Sequence, residues 1–321
     1  MPQVQVDAPS RLHFGLFSFG RRTGREFGGV GVMVGPPKLW LKIEPAEEFS
    51  AVGVGAERVR EFARHWQAYH RIAQAPSCRV QVIEAPPEHS GLGVGTQLAL
   101  ATAAGLNAFA GLPAVSPQEL ALSVGRSRRS AVGTYGFVLG GMIVEQGKAP
   151  GEPVSPLDCR IDFPAAWRFL LVRPLGMSGM YGAGEAAAFD DLPAVSPETT
   201  SRLIQIARDQ LVPAAATQDF PLFAQSLYEY GRLAGSCFAG VQAGAYNGPG
   251  LTKLVRQLRE LGAEGVGQSS WGPTIFAILP SQSQAESLAE QIRLEYPAGS
   301  LDTMIAAACN DGAQVRIGPF P

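Results

Sequence analysis

The feature that most constrains this sequence is a glycine-rich stretch between a short strand and a long apolar segment. Glycines alternate in Gly91-Leu92-Gly93-Val94-Gly95-Thr96-Gln97, after the strand-like residues 78–83 and before the Ala- and Leu-rich residues 98–111. Glycine lets a backbone turn tightly and approach a ligand, and a helix that follows directs its unpaired N–H groups and positive dipole end at the turn. The pattern predicts an anion-binding loop.

The loop does not match the common phosphate-binding motifs. It is not a Walker loop, because no Lys-Ser or Lys-Thr pair follows Gly95, and it is not the Gly-x-Gly-x-x-Gly dinucleotide motif. A turn that packs a helix tightly against a sheet stays open as a structural alternative. Other segments must distinguish a phosphate site from a packing turn.

The composition is that of an ordinary folded protein. Of 321 residues, 46% are apolar and 17% charged, so the chain is long enough for two domains with cores of their own. A net charge of −2 gives no general attraction to nucleic acid or anionic membranes, and we expect neither as a partner. The four cysteines have neither metal nor disulfide-scaffold spacing, and the N-terminus lacks a signal-peptide pattern, which favours a cytoplasmic protein.

Hydrophobic periodicity predicts an α+β protein with a β-rich start. Four short runs, at residues 4–7, 12–17, 30–34 and 39–43, predict an antiparallel meander. The other predicted elements are helices at 57–74, 98–111, 116–124, 199–211, 220–233, 251–261 and 284–296, and strands at 78–83, 141–145, 167–172, 274–279 and 314–317. Residues 147–166 are rich in proline, so we place the domain boundary there and predict domains at 1–160 and 161–321.

A second glycine-rich segment, residues 265–274, contains Gln268, Ser269 and Ser270 and leads into an apolar strand. Backbone N–H groups of small residues, together with the two hydroxyls, can surround a phosphate or carboxylate. A structural turn explains the segment nearly as well.

Arginine is concentrated in two groups. These are Arg21, Arg22 and Arg25, just before Gly28-Gly29, and Arg126, Arg128 and Arg129, just before Ser130. Arginine binds phosphate and carboxylate with two parallel hydrogen bonds, so groups flanking an anion loop suit a substrate with several negative charges. The alternative is that both are solvated surface loops.

His13 is a candidate for proton transfer. It lies in Ser10-Arg11-Leu12-His13-Phe14, where strand alternation places it on the same face as Arg11. A lone histidine is more often structural than catalytic, but its ordinary pKa near neutrality suits acid–base chemistry.

We find no Ser-His-Asp order and no zinc motif. We expect Mg²⁺ as cofactor, held mainly by substrate phosphates and by a hydroxyl such as Thr96.

Three segments together resemble the superfamily of galactokinase, homoserine kinase, mevalonate kinase and phosphomevalonate kinase (GHMP). They are residues 9–14, the glycine loop at 86–96, and the second glycine-rich segment at 265–274. The resemblance implies a GHMP-kinase-like two-domain fold, with a left-handed βαβ N-terminal domain, a ferredoxin-like C-terminal domain and the active site between them.

Two departures argue against an ordinary kinase of that superfamily. The loop has Val94-Gly95-Thr96 where the superfamily usually has a pair of serines, which leaves Thr96 as the hydroxyl able to bind a metal ion. Gly133 stands where mevalonate-type kinases have their catalytic aspartate. A kinase that needs a carboxylate to accept the hydroxyl proton lacks it here.

A closer resemblance, carried by residues 10–15, 25–31, 91–97, 125–127 and 267–274, is to the family of β-ribofuranosylaminobenzene 5′-phosphate synthases. That family condenses phosphoribosyl pyrophosphate with 4-aminobenzoate, losing CO₂ and pyrophosphate, on the way to tetrahydromethanopterin. The resemblance also suggests a homodimer, and it leaves open whether 4-aminobenzoate or its hydroxy analogue is the substrate.

The expected site follows from these motifs and from residue chemistry. We expect Arg25, His13 and Arg129 to act in catalysis, the arginines by holding the aryl carboxylate. The expected substrate-binding residues are Ser10, Arg11, Gly28, Gly29, Gly91, Gly93, Gly95, Thr96, Gln97, Arg126, Arg128, Ser130, Gln268, Ser269 and Ser270. The alternatives are an ATP-dependent small-molecule kinase of the same fold and a binding module without catalytic activity.

Overall fold

The computed structural model describes residues 2–20, 24–177, 179, 188–189 and 191–320. Within them, one 11-stranded mixed sheet carries helices packed against it. The strands are β1 (Gln3–Ser18), β2 (Phe27–Pro45), β3 (Ser50–Gly53), β4 (Cys78–Glu84), β5 (Met142–Glu145), β6 (Leu157–Ile161), β7 (Arg168–Pro174), β8 (Gly265–Gln268), β9 (Ile275–Leu279), β10 (Leu301–Ala308) and β11 (Gln314–Gly318). The helices are α1 (Ala56–His70), α2 (Val94–Phe109), α3 (Pro117–Ser123), α4 (Val132–Leu139), α5 (Pro197–Ile206), α6 (Val212–Thr217), α7 (Phe220–Ser236), α8 (Ala239–Gln242), α9 (Gly248–Glu260) and α10 (Gln282–Leu294), with a π-helical turn, Ala207–Leu211, between α5 and α6.

The first two strands form one long antiparallel hairpin where the sequence predicted four short strands. The register shifts between Pro9 and Ser10, which leaves residues 35–37 of β2 as a bulge. Proline is tolerated at a bulge because no ladder hydrogen bond needs its missing N–H. The antiparallel pairing was therefore predicted correctly, but the number of strands was wrong.

The N-terminal half adds a βαβ unit to this hairpin. β3 and β4 are parallel, are connected through α1, and join the sheet where β4 pairs antiparallel with β2. The apolar face predicted for α1 is buried, with Val59, Phe62, Ala63 and Trp66 against the sheet. The helix therefore forms because its apolar positions recur at helical spacing.

The apolar segment after the glycine loop is the buried helix α2, as predicted. Nearly every position on it is buried, and it packs on β1, β2, α1 and α4. Its polar Asn107 is satisfied, because its Oδ1 accepts a 2.7 Å hydrogen bond from the indole of Trp66. The predicted capping box of α3 is present, with Ser116 and Glu119 each bound to the other's backbone N–H.

The second half continues the same sheet. The order is β11-β1-β2-β10-β7-β9-β8, so the last two strands return to the hairpin that begins the chain. Gln3 lies opposite Gly318, and Val34 of β2 lies opposite Ala308 of β10. Strand β10 was not predicted because its segment ends in three alanines and lacks a run of β-branched residues.

The α+β class is confirmed, and the domain boundary at residue 160 stays a prediction. All four cysteines are free thiols. Among the described residues, no helix is both long and apolar enough to cross a membrane.

Candidate active site

A cleft of about 1140 Å³ lies where the glycine loop, β1 and the second glycine-rich segment meet. Its wall is built by β1, by α1, by the loop and first turn of α2, by residues 125–130, and by residues 268 and 270–272, with α7 and α8 on the remaining side. Segments far apart in sequence therefore build one site.

Hydrogen bonds hold the three motifs together. The N–H of Arg11 donates to the carbonyl of Leu92 at 3.0 Å, which joins β1 to the glycine loop. The hydroxyl of Ser269 donates to the carbonyl of Gly91 at 2.8 Å and accepts from the N–H of His13 at 3.1 Å. Ser269 belongs to the second glycine-rich segment and is fully buried. Because its hydroxyl bonds to both β1 and the glycine loop, it joins all three segments.

The glycine loop approaches its neighbour so closely that one position excludes a side chain. Gly91 has a φ of 88°, and a Cβ there would overlap the carbonyl oxygen of Ser269 and lie 3.0 Å from that of Gly272. Only glycine adopts this φ without strain and has no Cβ to overlap the two carbonyl oxygens. The loop is thereby pressed against the second glycine-rich segment.

The N-terminus of α2 opens onto the cleft. No side chain caps the helix, its first turn has no acidic residue, and Val94, Gly95 and Thr96 line the wall. First-turn N–H groups without a capping side chain, together with the positive dipole end, attract an anion at this point. Ser90 beside them is buried, and its hydroxyl has no hydrogen-bond partner among the described residues.

The wall of the cleft is strongly cationic. Among the described lining residues, one carboxylate, Glu61, faces five arginines, namely Arg11, Arg58, Arg126, Arg128 and Arg129. Some of this charge is compensated, since Arg58 forms a 3.1 Å ion pair with Glu88 outside the wall. The remaining excess of positive charge favours a substrate with several anionic groups.

A chain of hydrogen bonds leads from the wall into the protein. The Nε2 of His13 lies 3.1 Å from the hydroxyl of Ser130, which donates to a carboxylate oxygen of Glu145 at 2.6 Å. The other oxygen of Glu145 accepts from the N–H of Ala131 at 2.7 Å. Glu145 is fully buried, and His13 is 5% exposed where it lines the cleft.

Burial perturbs both ionisable groups of this chain. Desolvation and the neighbouring charge of Arg11 hold the pKa of His13 well below its usual value, so the imidazole is neutral at pH 7. Burial raises the pKa of Glu145, and hydrogen bonds from Ser130 and Ala131 partly oppose that rise.

Aromatic side chains line one side of the cleft. Phe27, Phe189, Phe238 and Trp271 all contribute to the wall, and the ring of Trp271 packs edge-on against Phe238 at 4.8 Å and Phe189 at 5.7 Å. The guanidinium of Arg129 lies over the ring of Phe189, 4.1 Å from its centre. This slot, formed by Phe27, Phe189, Phe238 and Trp271, suits a flat aromatic acid.

Gly133, where the resemblance to mevalonate-type kinases predicted a missing carboxylate, lies beside the anion loop. A Cβ there would be 3.2 Å from the methyl group of Thr96 and 3.5 Å from the Cδ of Arg11. The space next to Gly133 is therefore already filled by other side chains.

Most of the residues predicted to act in the site line the cleft. They are Arg11, His13, Gly91, Gly93, Gly95, Thr96, Arg126, Arg128, Arg129, Ser130, Gln268 and Ser270. The remaining ones, which do not line it, are Ser10, Arg25, Gly28, Gly29, Gln97 and Ser269.

Arg25 has a different setting from the one expected. Its guanidinium binds both oxygens of Glu152, at 2.7 and 3.1 Å, and the carbonyl of Gly147 at 2.8 Å. These bonds lower the pKa of Glu152 and fasten the turn after β5. The geometry therefore gives no support to a role for Arg25 on the aryl carboxylate, and Arg21 and Arg22 lie outside the described residues.

The other residues away from the wall make packing contacts. Gln97 donates to the carbonyl of Gly133 at 3.1 Å and joins α2 to α4. Gly28 and Gly29 lie in β2, where Gly29 pairs with Leu16 and Glu145. Ser10 is buried in β1.

Sequence reasoning missed Ser90, the aromatic slot and the link to Glu145. Ser90 adjoins the glycine loop, so its position was a usable signal. The slot residues are scattered over four distant segments, and nothing in a single sequence connects them.

The comparisons with known proteins agree with this geometry. The family described as "GHMP kinases N terminal domain" matches residues 57–141, and "GHMP kinases C terminal" matches residues 211–298. A β-ribofuranosylphenol 5′-phosphate synthase of Methanothermobacter thermautotrophicus is 29% identical, over 86% of this chain and 88% of its own. The protein of that name from Archaeoglobus fulgidus is 26% identical, over 98% and 100%.

A solved structure shows the same fold. The homoserine kinase of Cytophaga hutchinsonii superposes with a TM-score of 0.65 over 98% of this chain and 97% of its own, at 15% identity. The two family matches together cover more than half of the 321 residues, and the α+β fold predicted for them is confirmed. The chain is an enzyme that belongs to the GHMP kinase superfamily.

Proposed function

We propose that this enzyme transfers the phosphoribosyl group of phosphoribosyl pyrophosphate to the ring of a 4-substituted benzoate, with loss of CO₂ and pyrophosphate. Two relatives that match most of the chain are named for a ribofuranosylphenol phosphate product. The observation that carries the proposal is that an anion-binding helix end and an aromatic slot with a cationic edge share one cleft.

The donor would bind with its diphosphate at the start of α2. The first-turn N–H groups meet the phosphate oxygens there, and Arg11 and Arg126 add positive charge at the same wall. Arg126 is held in place by a 3.0 Å hydrogen bond to the carbonyl of Gly95 and by the ring of Phe62. A preorganised cationic site of this kind also stabilises the pyrophosphate as it leaves.

The benzoate would lie in the aromatic slot. Its ring packs against Phe189, Phe238 and Trp271, and its carboxylate meets Arg129 at the edge of the slot. Arg129 is already oriented by the ring of Phe189, so little further ordering is needed to bind the acid.

The bond changes balance without an external base or oxidant. The C1′–O bond breaks, and pyrophosphate leaves with its electron pair. The ring carbon that carries the carboxylate attacks C1′ from the opposite face, which gives the β-product. The bond from that carbon to CO₂ then breaks, and its electron pair restores the aromatic ring.

The proposed reaction uses Mg²⁺ as its cofactor. The hydroxyl of Thr96, on the wall beside the helix end, is a hard oxygen donor that fits such an ion when substrate phosphates supply further ligands. Bound there, the ion would neutralise charge on the leaving diphosphate. A homodimer, a cytoplasmic location and the route to tetrahydromethanopterin stay predictions.

The test is release of CO₂ from carboxyl-labelled 4-hydroxybenzoate and 4-aminobenzoate with phosphoribosyl pyrophosphate and Mg²⁺, with and without ATP. We expect release that needs the donor and is independent of ATP. A phosphorylated product that requires ATP would instead support the kinase alternative, and donor binding without turnover would support a binding module. Arg129→Ala should reduce release strongly, while Arg256→Ala, on the exposed face of α9, serves as its control.

A further inference from the structure

The hydrogen-bond chain from His13 to Glu145 fixes where the protons lie. The hydroxyl hydrogen of Ser130 points to Glu145, and Ser130 also accepts from the N–H of Val132 at 3.2 Å. Its oxygen can therefore only accept from the Nε2 of His13, so Nε2 carries the ring hydrogen. The other ring nitrogen, Nδ1, keeps its lone pair.

That lone pair belongs to a residue on the cleft wall. Within the described part of the chain, the only hydrogen bond of the His13 ring is the one through Nε2. Nδ1 is not one of the buried polar atoms that lack a hydrogen-bond partner, and the ring lines the cleft. The charge of Arg11 on β1 acts on the ring, and Glu145 on β5 is linked to it through Ser130, while Tyr230 of α7 is bound to the carbonyl of Gly15.

We propose that His13 accepts the proton of a 4-hydroxyl group on the acceptor and that Ser130 and Glu145 are positioning residues for it. The inference rests on the proposed function and adds the base that a hydroxyl-bearing acceptor needs. A base held in one tautomer by a serine and a buried carboxylate has no use in binding phosphate, because an anion needs a donor.

The base matters for one acceptor and not for the other. As the ring carbon attacks C1′, positive charge grows on the 4-substituent. A hydroxyl then loses its proton to Nδ1 and becomes the carbonyl of a cyclohexadienone, and after CO₂ leaves, the phenolate takes the proton back from His13. An amine supplies its lone pair while keeping both protons, and loss of CO₂ returns the electron pair, so no base takes part.

Glu145→Gln tests the positioning. One amide oxygen must still accept from the N–H of Ala131, which turns the NH₂ group toward Ser130. The serine hydroxyl then has to donate to Nε2, and the ring hydrogen moves to Nδ1. We expect kcat with 4-hydroxybenzoate to fall by about 10² or more, and kcat with 4-aminobenzoate to change much less.

Ser130→Ala is the second variant, and Ser226→Ala is its matched control. Ser226 is buried whereas Ser130 is half-buried, and the hydroxyl of Ser226 binds Gln210 away from the cleft. Ser130→Ala should reproduce the acceptor-selective loss, and Ser226→Ala should not. Equal losses with both acceptors in Glu145→Gln and Ser130→Ala would overturn the inference.

The tautomer can be read directly by ¹⁵N NMR of histidine-labelled wild-type protein, which contains four histidines. We expect an unprotonated Nδ1 for His13 at pH 7 and a protonated one in Glu145→Gln. A protonated Nδ1 in the wild type would refute the inference even if the variants do not fold. Wild-type protein that turns over neither benzoate would refute the proposed function, whereas turnover of 4-hydroxybenzoate that Glu145→Gln and Ser130→Ala leave unchanged would refute the inference alone.

Discussion

Replacing Gly91 by alanine tests whether the close approach of the two glycine-rich segments builds the donor site. The residue has a φ of 88°, and a methyl group would overlap the carbonyl oxygen of Ser269 while lying 3.0 Å from that of Gly272. The left-handed backbone costs an alanine about 1–2 kcal/mol. Relief of the overlap requires the two backbones to separate, which costs a further ~1–3 kcal/mol.

Gly111→Ala is the matched control. Gly111 follows α2 with a φ of 68°, but a Cβ there has nothing within 4 Å. Urea unfolding followed by circular dichroism should give Gly91→Ala a free energy of unfolding about 1–3 kcal/mol lower than that of Gly111→Ala. The backbone cost cancels in this comparison because both variants share it. The KM for phosphoribosyl pyrophosphate should rise in Gly91→Ala only. Equal stabilities and an unchanged KM would show that the close approach does not shape the donor site.

Three further predictions concern single groups. Arg25→Ala should leave the KM for the benzoate unchanged, contrary to the expectation from sequence, because the guanidinium of Arg25 binds Glu152. In steady-state kinetics, Arg129→Ala should instead raise this KM about tenfold. The lowered pKa of His13 means that stability is complete above its ordinary value of 6.5 and falls as the pH drops below it, and His13→Gln should flatten this dependence in pH-dependent urea unfolding. Ser116→Ala removes the cap of α3 and should lower the free energy of unfolding by about 1 kcal/mol in the same assay.

Local patterns in the sequence predicted the elements that local forces determine. The capping box at Ser116, the apolar stripe of α1 and the glycine loop before α2 each contain their cause within a few residues. The strand boundaries around Pro9 were wrong because the cost of a proline depends on the register of its partner strand. That register is a tertiary property.

The site was predicted in part for the same reason. The two glycine-rich motifs and the arginines at 126–129 announce anion binding by composition. Arg25 has the same chemistry, but it is bound to Glu152, a carboxylate 127 positions later in the sequence. Glu145 is linked to His13 through Ser130, and a contact between residues so far apart leaves no periodic trace.

The return of the last strands to the first has a consequence for synthesis on the ribosome. The outer edge of β1 at Gln3–Asp7 is covered by β11, which begins at Gln314. At typical elongation rates this edge waits on the order of 15 to 60 s for its partner. An uncovered strand edge can pair with other chains, so we expect nascent chains stalled before residue 301 to bind holdase chaperones, which pull-down of stalled complexes would reveal. The pairing of β1 is thus completed only after β11 has been synthesised.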